Sequence, residues 1–190
     1  LVCLDLEGNL CWYRGLTYDY PQAGNDVGMA SSPVVAEDTV VVQVESYGDS
    51  FAAGLDTATG QTRWRLARIG QPNWSSPVMI QDGEQNSLVL LKSGDGLEAF
   101  DLQSGTRSWK YDGPADSIAS LVAVNDRVYL PGDGLSCLQR KGGGEPPELL
   151  WASARVNADA ASPVVDGDRV YAINGAGVLT CAAAAQGQVL

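Results

Sequence analysis

Short runs of β-branched and aliphatic residues recur along this chain, separated by clusters of Gly, Asp, Asn, Ser and Pro. The runs "TVVVQV", "SLVLLK", "RVYLPG" and "RVYAIN" begin at Thr39, Ser87, Arg127 and Arg169. Turn residues such as Asn125-Asp126 and Asp166-Gly167 precede them, where tight hairpins are expected. Ahead of each run stands a Ser followed by apolar residues: "SPVV" at Ser32, "SPVM" at Ser76, "SLVA" at Ser120 and "SPVV" at Ser162, in steps of 44, 44 and 42 residues. Such a repeat predicts a unit of four short strands, A to D, with the Ser-Pro opening strand A and the β-branched run forming strand B. A Pro at the first position of a strand is tolerated because its missing N–H falls outside the ladder. No sustained 3.6-residue period appears, so the pattern predicts no helix.

A second signature runs half a unit out of phase. "LDTATGQTRW" ends at Trp64, "FDLQSGTRSW" at Trp109 and "LDLEGNLCW" at Trp12, while Trp151 closes a degenerate copy after "KGGGEPPELL". The Asp can accept backbone N–H bonds in the C–D turn, the Gly supplies a positive φ there, and the Trp is expected to pack between neighbouring units. The spacing Ala99-x-Asp101-xxx-Gly105-xxx-Trp109 resembles the tryptophan-docking motif of the pyrroloquinoline-quinone-like (PQQ-like, quinoprotein-type) propeller repeats. Asp56, Gly60 and Trp64 keep it with Gly54 in place of Ala. Asp5, Gly8 and Trp12 keep it with a turn one residue shorter, and Gln139 and Ala183 replace the Asp in the last two copies.

The resemblance implies an all-β fold, a β-propeller of four-stranded antiparallel blades. Counted by repeat, residues 1–14 supply strands C and D of a first blade. Residues 30–68, 74–112 and 117–153 form three full blades, and 159–190 an incomplete last one. That is an incomplete ring, three full blades plus two partial ones in one partial propeller domain. Propellers of this family usually have more blades, so the expectation is a piece of a longer protein; the alternative is a smaller ring closed by residues 10–14. The chain shows neither an initiator Met nor a signal-peptide pattern.

Composition narrows the functions. A net charge of −11 and a pI near 4.2 disfavour a nucleic-acid surface and adsorption to anionic lipid, and no apolar run is long enough to span a bilayer. The chain has no His, which removes Ser–His–Asp and Cys–His arrangements and the commonest metal ligand. No catalytic residue and no metal site are expected. Of the four cysteines, Cys3, Cys137 and Cys181 share one repeat position with Gly54 and Ala99, where a small buried residue is wanted.

Positions that break the repeat are the better candidates for function. "GLTYDYPQAGNDVG", Gly15–Gly28, is an enlarged D–A connection, and Trp74 stands where the other units have Ala30, Ile118 and Ala160. Tyr18, Asp19, Tyr20, Asn25, Asn73 and Trp74 therefore form the candidate partner-binding face, on the side carrying the B–C and D–A loops. A protein, peptide or carbohydrate would bind there. The "KGGGEPPE" loop, Lys141–Glu148, enlarges a C–D turn on the opposite side and reads as a solvated hairpin. By resemblance, the leading function is a non-catalytic binding or scaffold propeller at the periplasm or cell surface, with no cofactor; the family includes the lipoprotein scaffold of outer-membrane barrel assembly. The alternative is a PQQ- and calcium-dependent alcohol or sugar dehydrogenase, with Glu45, Asp49, Asn25, Asp26 and Asn73 as the carboxylates and amides near the channel mouth. The adjacent cysteines that such dehydrogenases often carry are missing here.

Overall fold

The computed structural model describes residues 1–24, 30–83 and 86–190. Five antiparallel sheets follow one another along the chain. The first pairs β1 (Val2–Leu4) with β2 (Leu10–Tyr13), after which a single helical turn, α1 (Leu16–Asp19), opens the long insert. The second sheet runs β3 (Val34–Ala36), β4 (Thr39–Val44), β5 (Phe51–Asp56) and β6 (Thr62–Ala67). The third runs β7 (Val78–Gln81), β8 (Ser87–Ser93), β9 (Gly96–Asp101) and β10 (Arg107–Tyr111). The fourth contains β11 (Val122–Val124), β12 (Arg127–Gly132), β13 (Gly134–Gln139) and β14 (Glu148–Ser153). The last has β15 (Val164–Asp166), β16 (Arg169–Ile173) and β17 (Leu179–Ala183).

Each four-stranded sheet is a simple meander in chain order, and the set does not close into a ring. Leu10–Tyr13 pairs with β1 and not with β17, so the smaller closed ring is not formed. Val189 makes a bridge to Ala182, where a strand D would begin. The helical turn was not expected from periodicity. One turn needs no repeating apolar face, and here the Gly15 carbonyl accepts from the Tyr18 and Asp19 amides at 2.8 Å each.

Burial explains the strand order. The β-branched runs of β4 and β8 are buried throughout, since sheets cover them on both faces. First strands lie nearest the axis, where β3 touches β7, β7 touches β11 and β11 touches β15. There the repeated serines form a ladder. The Ser32 amide donates to Ser76 Oγ at 2.9 Å, the Ser76 amide to Ser120 Oγ at 2.9 Å, and the Ser120 amide to Ser162 Oγ at 3.0 Å.

Last strands carry the tryptophans outward. Trp12 Nε1 donates to Thr57 O at 2.8 Å, Trp64 Nε1 to Leu102 O at 2.8 Å and Trp151 Nε1 to Ala184 O at 3.1 Å, each acceptor belonging to the next sheet's C–D turn. Beneath these rings a Cβ on Gly60, Gly105 or Gly187 would lie 2.7, 2.7 or 2.4 Å from the indole, so only glycine fits. Within each sheet the small residue of strand C faces the same ring: Gly54 pairs with Trp64, Ala99 with Trp109 and Cys137 with Trp151. The Asp of the turn organises the backbone. Asp56 Oδ1 accepts from the Ala58 and Thr59 amides, and Asp101 Oδ1 from the Ser104 amide. Arg63, hydrogen-bonded to Asp56, holds that carboxyl below the usual range.

Candidate functional site

The face bearing the B–C and D–A loops is built on the second sheet. The B–C loop, Glu45–Ser50, receives the insert: the Asp49 amide donates to Gln22 O at 2.8 Å, and a Cβ on Gly48 would sit 2.2 Å from that same oxygen. Tyr20 packs against Phe51 with ring centroids 4.5 Å apart, and the Arg65 guanidinium lies 4.7 Å from the Tyr20 centroid. Arg65 also pairs with Asp49 at 2.9 Å. Tyr20 is thus the anchor that seats the loop. Asp19 is paired with Arg14 at 2.7 Å, whereas Tyr18 stands 89% exposed. Asn25, Asp26 and the rest of 25–29 lie outside the described residues.

Asn73 is not displayed. It is buried and bridges to Glu45 in the neighbouring loop; its Nδ2 donates to Glu45 Oε2 at 2.8 Å and to Lys92 O at 2.5 Å, while its Oδ1 accepts from the Ser75 hydroxyl at 2.7 Å. Glu45 is equally committed. Oε1 accepts from Arg68 Nε at 2.7 Å and from Gln43 Nε2 at 3.0 Å, and Arg68 reaches across to Glu98 of the third sheet. Lys92, fully buried, pairs with Asp116 at 2.6 Å, joining the third sheet to the connection that enters the fourth. Burial pushes the Lys92 ammonium pKa down, and the Asp116 carboxylate partly offsets this.

These observations test the calcium set proposed from resemblance. Both Glu45 oxygens are occupied by a guanidinium and two amides, the Asn73 carbonyl oxygen accepts from Ser75, and Asp49 faces Arg65. At the described members of that set a hard cation would have to displace a buried arginine and would gain no converging oxygens among the described residues. Glu45, Asp49 and Asn73 as arranged do not fit calcium, Asn25 and Asp26 lie outside the described residues, and no quinone chemistry is derived from the set.

Trp74 occupies a different place from the insert's aromatics. With Ala30, Ile118 and Ala160 it lines a cavity of about 440 Å³ at the axis, ringed by Ser76, Ser120 and Ser162. The Trp74 amide donates to Ser117 O at 2.7 Å. The repeat-breaking indole therefore lines the open depression beside the first strands, while Tyr18–Tyr20 lies by the second sheet. Tyr47, 70% exposed in the B–C loop, and Ile118, 46% exposed, join this face. Sequence reasoning passed over Tyr47, because a single loop tyrosine has no signal in a repeat alignment.

No curated protein sequence matches the chain significantly. Among solved structures, BamB from Moraxella catarrhalis overlays with a TM-score of 0.72 at 19% identity, covering 100% of this chain and 53% of that one. The chain thus spans about half the length of that protein. A quinohemoprotein alcohol dehydrogenase from Pseudomonas putida HK5 overlays at 0.60 with 14% identity, covering 89% of this chain and 34% of the enzyme. The computationally designed Ika4 protein overlays at 0.58 with 13% identity, covering 83% of this chain and 94% of the design. At such identities these overlays speak for the propeller fold alone. The family model described as outer membrane protein assembly factor BamB matches residues 1–190 throughout, and the chain belongs to that family of PQQ-like propellers.

Proposed function

We propose that the chain is a non-catalytic binding or scaffold module that engages a protein partner through its B–C/D–A face in an extracytoplasmic setting. One observation carries the reading. Four groups on that face with the chemistry for catalysis or metal binding, Glu45, Arg68, Asn73 and Lys92, are buried and bonded to one another or to adjacent sheets. Tyr18, Tyr47 and Ile118 face outward beside the exposed carboxylates Asp95, Asp133 and Asp159, a mixture suited to contact with a protein surface. The extracytoplasmic setting is supported by the matched family's description as an outer membrane assembly factor. Among the described residues no helix is long and apolar enough to cross a membrane.

The test is capture from an outer-membrane extract by the immobilised chain, with bound proteins identified by mass spectrometry. Tyr18→Ser, Tyr47→Ser and Ile118→Ser combined should reduce capture of outer-membrane assembly proteins at least tenfold, with the urea midpoint unchanged. Undiminished capture would move the interface elsewhere. Dye-linked alcohol oxidation on adding PQQ and Ca²⁺ would overturn the non-catalytic reading, and retention of glycan or peptide in place of folded protein would change the partner class.

A further inference from the structure

Three of the four cysteines are explained by the repeat, as small residues of strand C. Cys11 is not. At its place, one residue before the tryptophan, the next three sheets carry Arg63, Ser108 and Leu150. Pairing in the first sheet runs Val2 with Tyr13, Cys3 with Trp12, and then Leu4 with Leu10. Cys11 is therefore the extra residue of a β-bulge, and both Cys11 and Trp12 lie across from Cys3. The turn below holds this register: the Asp5 amide donates to Asn9 O at 3.0 Å, and Asp5 Oδ1 accepts from the Glu7 and Asn9 amides at 3.0 and 2.7 Å.

The two thiols are neighbours in space. The Cys11 thiol donates to Asn9 O at 4.0 Å, and partial desolvation, followed by the nearby Cys3 thiol, pushes its pKa up. Cys11 is exposed and Cys3 half-buried, so a reagent in solution reaches the pair, whereas Cys137 is sealed in the core. All four are free thiols here.

We propose that Cys3 and Cys11 constitute a dithiol–disulfide site, closing into an intramolecular disulfide across the bulge when the chain meets a disulfide oxidant, either a protein thiol–disulfide oxidoreductase or oxidised glutathione. The exposed Cys11 thiolate attacks one sulfur of the oxidant, breaking its S–S bond and forming a mixed disulfide; the first leaving thiolate takes up a proton. Cys3, as thiolate, then attacks Cys11 Sγ and expels the second thiolate, which is protonated in turn. One S–S bond forms and one breaks. Two electrons pass from the cysteine pair to the oxidant, which leaves as two thiols carrying the two protons. The bond would tie β1 to β2 beside Trp12, the ring that docks on Thr57 and Gly60 of the next sheet.

The experiment uses the full chain equilibrated in glutathione mixtures of graded oxidised-to-reduced ratio, quenched in acid, unfolded, alkylated with iodoacetamide and digested with trypsin. Residues 1–14 then form one peptide that contains both cysteines. It should lose the mass of two hydrogens and take no label at ratios where the Cys137 and Cys181 peptides remain labelled. Cys11→Ser should leave Cys3 labelled, and Cys3→Ala, which installs the residue of the third sheet, should leave Cys11 labelled. Equilibration in urea should shift the half-oxidised point toward more oxidising mixtures. Three results would overturn the site: double labelling in fully oxidised glutathione, Cys11 found only as a glutathione adduct or a bond to a second chain, or the same half-oxidised point with and without urea.

Discussion

The docking of Trp64 on Gly105 yields the sharpest stability prediction, because the same sheet supplies its own control. Gly105 has φ +68°, and a Cβ there would lie 2.7 Å from Trp64 Cδ2 and 2.8 Å from Cγ. The ring cannot retreat. Its Nε1 is tied to Leu102 O at 2.8 Å, and its other side presses on Gly54, where a Cβ would stand only 2.3 Å from the indole. Gly83 has φ +87° with no described atom within 4 Å of its virtual Cβ. Gly83→Ala therefore incurs backbone strain alone, about 1–2 kcal/mol. Gly105→Ala incurs the same strain plus overpacking of about 1–3 kcal/mol. For a chain of this size the melting temperature should fall by about 5 °C in the first variant and about 10 °C in the second. Thermal and urea unfolding followed by far-UV circular dichroism measures both without relying on the tryptophans. Equal losses would refute the reasoning, since the glycine would then be needed for its φ and not for the ring above it.

Other consequences follow from single contacts. Trp64→Phe removes the donor to Leu102 O and should lower stability by about 1–3 kcal/mol in urea titrations. Trp109→Phe should cost less, because among the described residues Trp109 Nε1 has no hydrogen-bond acceptor. Asp116→Asn leaves the Lys92 ammonium buried without its carboxylate, an expected loss of about 3 kcal/mol; adding Lys92→Met should restore most of it. Hydrogen bonds from Arg63 hold the Asp38 and Asp56 carboxyls below the usual carboxylate range. A depressed folded value means stability that is complete above about pH 4 and lost as pH falls through the folded values. The gap in urea midpoint between wild type and Arg63→Gln should therefore narrow as pH drops below 4; a constant gap would show that Arg63 acts through packing.

The fold was legible because it is written several times over. The recurring Ser, Gly and Trp meet the adjacent sheet and the recurring Asp organises its own C–D turn, so spacing alone located them. Where the copy decays, so does the contact. Gln139 stands at the Asp position, and its Nε2 turns to Asp126 Oδ2 at 2.6 Å and to Arg140 O at 3.3 Å, the carbonyl that corresponds to Leu102 O and Thr57 O. The site was less legible, for a physical reason. Asn73 and Glu45 are loop residues with nothing in their neighbourhood to mark them as buried, and their partnership with Arg68 and Lys92 depends on how adjacent sheets stack. Tyr18 and Tyr20 look alike in sequence, yet one is exposed and the other lies on Phe51. The pairing of Cys3 with Cys11 turns on a one-residue bulge that no alternating pattern reveals.

Three belts join the sheets, and together they say what remains for recognition. Near the axis, the serine ladder ties strand-A starts amide to hydroxyl. At the outer edge on the C–D side, indoles hold the next turn. On the B–C/D–A side, the Glu45–Arg68–Glu98 chain and the Lys92–Asp116 pair do the same with buried charge. Buried ion pairs add little net stability over apolar packing, but they penalise any arrangement that separates them. Their value here is orientational: they fix the loops of successive sheets relative to one another. A face held this rigidly needs little ordering when it binds, so exposed side chains such as Tyr18, Tyr47 and Ile118 can contribute their contact area with a small entropic loss. Loosening the third belt with Glu45→Gln should therefore weaken capture by the proposed face even though Glu45 itself is too buried to touch a partner.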